Sequence, residues 1–232
     1  MLIHMAPKDE RERPPVLAHV RFRKEADRLR GLDLERLFTH IYRTNLWGGD
    51  ESRSGLGSAL AETAQLRAAI PAVLSDVGAR NLLDIPCGDF GWMSGVELEG
   101  IDYTGADIVE EIVARNRERF ESASRRFVRL DLVSDPLPRA DVVLCRDCLV
   151  HLSFEKIFRA LENVARSGSR YLLTTTFLEH ETNEDAEDGD WRMLNLERPP
   201  FSFPAPLAVV VEGCTEGGGA YADKALALWP IS

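Results

Sequence analysis

Along this chain the spacing of apolar residues changes from a helical period to short continuous runs. In the first third, Leu34, Leu37, Phe38 and Ile41 recur at helical spacing behind Asp33, a good N-cap residue, and predict an amphipathic helix over 33–43. A second helix is expected after Ser58, carrying Leu60, Leu66, Ile70 and Leu74. The glycine- and serine-rich stretch between them contains Trp47, which predicts an ordered loop that touches something. Further on, apolar runs at 81–85, 103–107, 127–132, 141–145 and 171–176 read as buried strands, and the apolar positions within 108–120 and 154–164 read as helices packed on them. That alternation predicts a parallel sheet with right-handed crossovers. After Thr176 the rhythm breaks into an acidic stretch over 179–190, then Trp191 and a proline-rich segment in which no regular helix fits. Runs at 207–211 and 221–228 flank Gly217-Gly-Gly219, a connection too short for a parallel crossover, so the closing strands are expected to be antiparallel.

Composition narrows the class. With 232 residues, 44% hydrophobic and 28% charged, the chain has ordinary globular composition and room for a single domain with a real core. A net charge of −10 repels phosphate backbones, which disfavours a nucleic-acid partner and favours a small-molecule one. Basic residues crowd the start (Arg11, Arg13, Arg21, Arg23, Lys24, Arg28, Arg30), so residues 1–32 read as a basic N-terminal arm ahead of a domain over 33–232. No apolar run approaches the roughly 20 residues of a membrane helix and the first residues are charged, so a cytoplasmic protein with no membrane partner is expected. The four cysteines read as reduced thiols. Cys145 and Cys148 lack the second pair a zinc site would want, so no metal is assigned there. The acidic run reads as a solvated loop, its rival being a site for a divalent ion that binds a diol.

The strongest chemical signal is Asn81-Leu-Leu-Asp-Ile-Pro-Cys-Gly-Asp-Phe-Gly-Trp-Met93, an apolar strand ending in an acid and a tight turn. Gly88 lets backbone approach a ligand closely. Asp107 follows 19 residues later at the end of the next strand, where a carboxylate can accept from both hydroxyls of a ribose. Beyond the fourth strand lies Arg146-Asp147-Cys148-Leu149-Val150-His151. Asp147 and His151 are four apart, which on one helical turn would let the carboxylate orient the imidazole and raise its pKa. A histidine near neutrality suits removal of a proton from an acceptor; the rival reading is that His151 only bonds nearby backbone.

On these residues the chain resembles the class I S-adenosylmethionine-dependent methyltransferases, with Pro86 and Phe90 standing where the first and third glycines of the motif fall. Cys145 to Leu152, Leu172 to Phe177, Gly189-Asp-Trp-Arg192 and Asp223-Lys224 look like a small bacterial subgroup of that class. The resemblance implies S-adenosylmethionine as cofactor. It implies that Asp84 and Gly88 frame the methionine moiety, that Trp47 and Cys87 are further cofactor contacts, and that Asp107 holds the ribose. Asp131 with Leu132 would meet the adenine, unless Asp131 merely caps its turn. Trp92 would lie against the cofactor or plug the seam between helix and sheet. His151 and Asp147 would be catalytic, and Trp191 with Arg192, on a loop over 177–206 expected to close over the acceptor, would contact substrate.

The expected fold is therefore a doubly wound, Rossmann-like α/β methyltransferase sheet, mostly parallel with an antiparallel final strand and an N-terminal helical cover. The expected reaction is transfer of a methyl group to an oxygen or nitrogen of a small molecule, a sugar or secondary metabolite first. Methylation of a protein side chain, or a catalytically silent cofactor-binding module, are the alternatives. A nicotinamide-dependent oxidoreductase would need three glycines, and Gly88 with Gly91 supplies two.

Overall fold

The computed structural model describes residues 13–231, so residues 1–12 of the expected basic arm lie outside the described residues. Seven strands, β1 (Asn81–Asp84), β2 (Asp102–Asp107), β3 (Arg125–Arg129), β4 (Val142–Cys145), β5 (Tyr171–Phe177), β6 (Ala208–Val211) and β7 (Lys224–Pro230), form one sheet in the order β3-β2-β1-β4-β5-β7-β6. The first five are parallel, and β7 pairs antiparallel with both β5 and β6. The sheet is the doubly wound one expected. The antiparallel hairpin was also expected; its last strand lies inside the sheet, between β5 and β6.

Helices cover both faces. On one side α1 (Leu17–Leu29), α2 (Leu34–Thr44) and α5 (Phe154–Arg166) bury Phe22, Leu37, Ile41 and Ile157 against Leu83, Val143 and Trp229. On the other, α3 (Ala64–Asp76) and α4 (Glu110–Phe120) bury Leu66, Ile70, Leu74 and Val113 against Leu82, Leu144 and Phe127. Each apolar stripe follows the helical period, so each helix buries one face. Asp33 caps α2 as expected, its carboxylate accepting from the Arg36 N–H at 2.8 Å. Among the described residues no helix is long and apolar enough to cross a membrane.

Three boundaries differ from the sequence reading by three residues or more. The helix expected after Ser58 begins only at Ala64, and Leu60 is 49% exposed, because 56–63 is taken up by a short 3-10 turn and further turns. The third strand runs over 125–129 and stops before Leu132, because the Asp131 carboxylate accepts from Val133 N at 2.8 Å and from the Ser134 hydroxyl at 2.7 Å and turns the chain. The last strand starts at Lys224, since 221–223 still belong to the turn. The acidic stretch has work to do at α5: Asp188 accepts from Ser153 N and Asp185 from Phe154 N, each at 2.7 Å, so carboxylates satisfy the free amides at the positive end of the helix.

Strand order places β1 beside β4, the point at which the chain switches from building outward in one direction to the other. The carboxyl ends of these two strands therefore open a crevice.

Candidate active site

Everything in the crevice hangs on the ends of β1, β2 and β4. Asp84 closes β1, fully buried, and accepts the Tyr103 hydroxyl at 2.6 Å. Burial pushes its carboxyl up to about 7, against the pull of that hydrogen bond. Asp107 closes β2 and accepts from Gly88 N at 3.1 Å and from Val109 N at 2.9 Å. Burial lifts it to about 6, the backbone donors offsetting only part of the desolvation. Gly88 has φ +53°, and a Cβ there would meet the Ser54 hydroxyl at 2.4 Å; only glycine lets the 45–58 loop close this far onto the turn.

These groups line a cavity of about 1060 Å³, counting its open mouth, together with Trp47, Cys87, Trp92, Asp131, Leu132, Asp147 and His151. All the residues expected to touch the cofactor are thus brought together. Cys87 is buried, with a thiol pushed well up by desolvation and faced by the Asn116 amide at 3.7 Å. Trp92 lies under the Arg146 guanidinium, 5.3 Å from the ring centre. Asp131 borders the cavity while also holding its own turn.

His151 sits where the sequence placed it, with partners the sequence did not foretell. Its ring stacks on Trp47 at 4.3 Å, and Nδ1 lies 2.8 Å from the Asp190 carbonyl oxygen. A carbonyl only accepts, so Nδ1 carries the hydrogen and Nε2 keeps a lone pair. Burial drives the imidazole down to about 4, outweighing the Asp190 carbonyl and the Asp147 charge, which pull the other way. The expected rise in pKa is corrected accordingly, as is its expected cause. Asp147 has φ +50° and precedes the short turn Leu149–His151, so the two side chains do not share a helical face.

The Asp147 carboxylate is instead taken by Lys224 Nζ at 2.6 Å and Arg146 Nη1 at 3.2 Å. The same two cations meet Glu212, Arg146 Nη2 at 2.6 Å and Lys224 Nζ at 3.3 Å. Four charges from the ends of β4, β6 and β7 thereby close a mostly buried, mutually neutralised ring, and the two cations hold Asp147 well below the usual carboxylate range. Arg146 also donates to the Gly57 carbonyl at 2.8 Å, tying the ring to the 45–58 loop. Glu212 and Ser54 were not singled out by sequence, and Lys224 figured only in the Asp223-Lys224 segment of the resemblance, with no role assigned. The available signal was a charge abutting each of two apolar strands, Glu212 after Val211 and the Asp223-Lys224 pair before Ala225.

A second cavity adjoins the first, and the two share Trp47, Ser54, Asp147 and His151. Trp191 lines it, packed edge to face on Phe177 and Tyr221. Arg192 lines neither cavity. Its guanidinium is spent on the carbonyls of Leu149, at 2.9 Å, and Leu152, which clamp the turn bearing His151, so its expected contact with substrate is replaced by a structural one.

Residues 83–173 match a family model described as a methyltransferase domain. The fold is shared with the mitomycin 7-O-methyltransferase MmcR (TM-score 0.62, 16% identity, 93% of this chain and 68% of that one). It is shared with human N-acetylserotonin methyltransferase in complex with S-adenosylmethionine (TM-score 0.54, 18% identity, 93% of this chain and 66% of that one). The methyltransferase domain of a bacterial Hen1 is also similar (TM-score 0.54, 13% identity, 75% of this chain and all of that one). The chain thus spans about two thirds of the length of the first two. No curated protein matches it. Residues 83–173 thus carry a methyltransferase-domain match within a doubly wound sheet, and S-adenosylmethionine, bound in the human neighbour, is the cofactor against which the crevice is tested.

The residues present fit that cofactor. The Gly88 turn lines the crevice in the left-handed conformation, and Asp107 offers a buried carboxylate beside it. Because Asp107 ionises only above about 6, the affinity for S-adenosylhomocysteine should fall as pH drops through that value, by up to about tenfold per pH unit. Calorimetric titrations between pH 7.5 and 5 check this; a flat affinity would show that the ionised carboxylate is not used.

Proposed function

We propose that the chain methylates an oxygen or nitrogen of a small molecule held in the second cavity. The observation that carries this reading is the junction of the two cavities at Trp47, Asp147 and His151, which sets an acceptor compartment against the cofactor's crevice. Asp84, Cys87 and Gly88 would frame the methionine moiety, Asp107 the ribose, Asp131 and Leu132 the adenine, with Trp47 and Trp92 as flanking rings. When bound, S-adenosylmethionine supplies an electrophilic methyl group on a sulfonium. The protein's own part is to align the acceptor, keep water out with the rings of Trp47 and Trp191, and offer Nε2 of His151 to the acceptor's proton.

The test is calorimetry with S-adenosylhomocysteine, followed by methyl transfer into a panel of hydroxylated and amine-bearing metabolites. Asp107→Ala should weaken S-adenosylhomocysteine about 10- to 100-fold, the loss of a two-point contact by a buried charged acceptor. Equal affinity in wild type and variant would remove the ribose assignment. Tight binding of a nicotinamide dinucleotide in place of S-adenosylhomocysteine would overturn the reading altogether.

A further inference from the structure

Lys224 opens β7 opposite Phe177, and its ammonium lines the second cavity. An ammonium carries three N–H donors. Asp147 Oδ2 takes one at 2.6 Å and Glu212 Oε2 faces another at 3.3 Å; among the described residues, no third acceptor meets it. The surroundings carry one carboxylate in excess. Arg146 and Lys224 cancel Asp147 and Glu212, and the half-buried Glu216, which accepts from the backbone of Leu17, is left over. Such a compartment does not select a free anion, and offers one spare donor beside aromatic walls from Trp47, Phe177, Trp191 and Tyr221.

We propose that the acceptor is an aromatic or enolic hydroxyl compound and that Lys224 holds the reacting oxygen through its spare N–H. This rests on the reading of the second cavity as the acceptor's.

Lone pairs separate oxygen from nitrogen. A hydroxyl oxygen has two, so one accepts from Lys224 while the other attacks; an amine nitrogen has one and cannot do both. Charge points the same way. As its proton leaves, a hydroxyl oxygen gains negative charge that the ammonium stabilises, whereas an amine attacks as a neutral nitrogen and gains nothing from a cation beside it. The base decides between kinds of hydroxyl. His151, lowered to about 4, is a weak proton acceptor, suited to a phenol-like group with a pKa of about 10 and below, and Lys224 makes that group more acidic still. In the step itself, an oxygen lone pair forms the new O–CH₃ bond, the C–S electron pair leaves on sulfur as the neutral thioether, and the hydroxyl proton passes to Nε2 of His151 and on to solvent.

The test uses the full chain saturated with S-adenosylhomocysteine and 4-nitrophenol as a probe, whose phenolate absorbs separately. Bound to wild type, its apparent pKa should fall by about one relative to free 4-nitrophenol; in Lys224→Gln the fall should vanish, and Lys224→Arg should restore part of it. Given S-adenosylmethionine and matched phenol and aniline pairs, wild type should methylate the phenol at least about tenfold faster, a comparison that needs no variant to fold. Preferred methylation of anilines, an unshifted nitrophenol, or failure of every phenol in the panel to bind overturns the inference. Failure of S-adenosylhomocysteine itself to bind would instead strike the functional reading beneath it.

Discussion

Glu212→Ala should destabilise the protein by about 3–5 kcal/mol, the usual cost of leaving a buried charge without its partner. Glu212 is 2% exposed and is the shared acceptor of Arg146 and Lys224, so its removal leaves two buried cations facing the single carboxylate of Asp147. For a chain of this size the melting temperature should drop by roughly 10 °C. The double variant Arg146→Met with Glu212→Leu should recover much of the loss, since it removes one charge of each sign and leaves the Lys224 to Asp147 contact. Denaturant titrations of the three proteins decide the matter: a single variant within about 1 kcal/mol of wild type would mean that the ring is already solvated. The depressed Asp147 carboxyl adds a pH signature. Its contribution is in place above its ordinary value of 3.8 and is lost as pH falls toward the folded-state value, so wild type should lose more stability in acid than Asp147→Asn.

His151→Asn should lower turnover by about 100- to 1000-fold while S-adenosylhomocysteine affinity stays within about threefold of wild type. Asparagine is the informative replacement because its amide can still donate toward the Asp190 carbonyl, so what disappears is the lone pair of Nε2. With cofactor saturating, wild-type kcat should stay level down to about pH 5 and fall only toward pH 4, because the buried imidazole protonates near 4. A limb near pH 6.5 would mean that acceptor binding or solvent restores an ordinary histidine. Turnover within tenfold of wild type in the asparagine variant would leave alignment alone to account for catalysis.

What could be read from sequence follows the range of the interactions involved. The Gly88 to Asp107 pairing was legible because β1 and β2 are consecutive and hydrogen-bonded, so a spacing of 19 residues translates directly into neighbouring strand ends. The cap at Asp33 was legible because its partner is three residues away. The charged ring was not. Lys224 meets Asp147 across 77 positions and Arg146 meets Glu212 across 66, and no local periodicity says which strand ends will share an edge. The placing of β7 inside the sheet was hidden for the same reason, since an antiparallel hairpin can lie with either strand innermost. His151 shows a different limit. Its position was legible, but its protonation is set by enclosure, by the Trp47 ring stacked on it and the Asp190 carbonyl 39 residues away.

The place of β7 has a consequence for the chain as it leaves the ribosome. Every strand from β1 to β6 is made before residues 224–230, yet β5 and β6 pair only through them. Until that last segment emerges, β5 presents a bare edge, β6 has no neighbour, and Asp147 waits beside Arg146 without Lys224. The first cavity is lined only by residues up to Leu152, whereas the second needs Cys214, Glu216, Tyr221 and Lys224, so a chain cut after β5 would keep the lining of the one and lose part of the wall of the other.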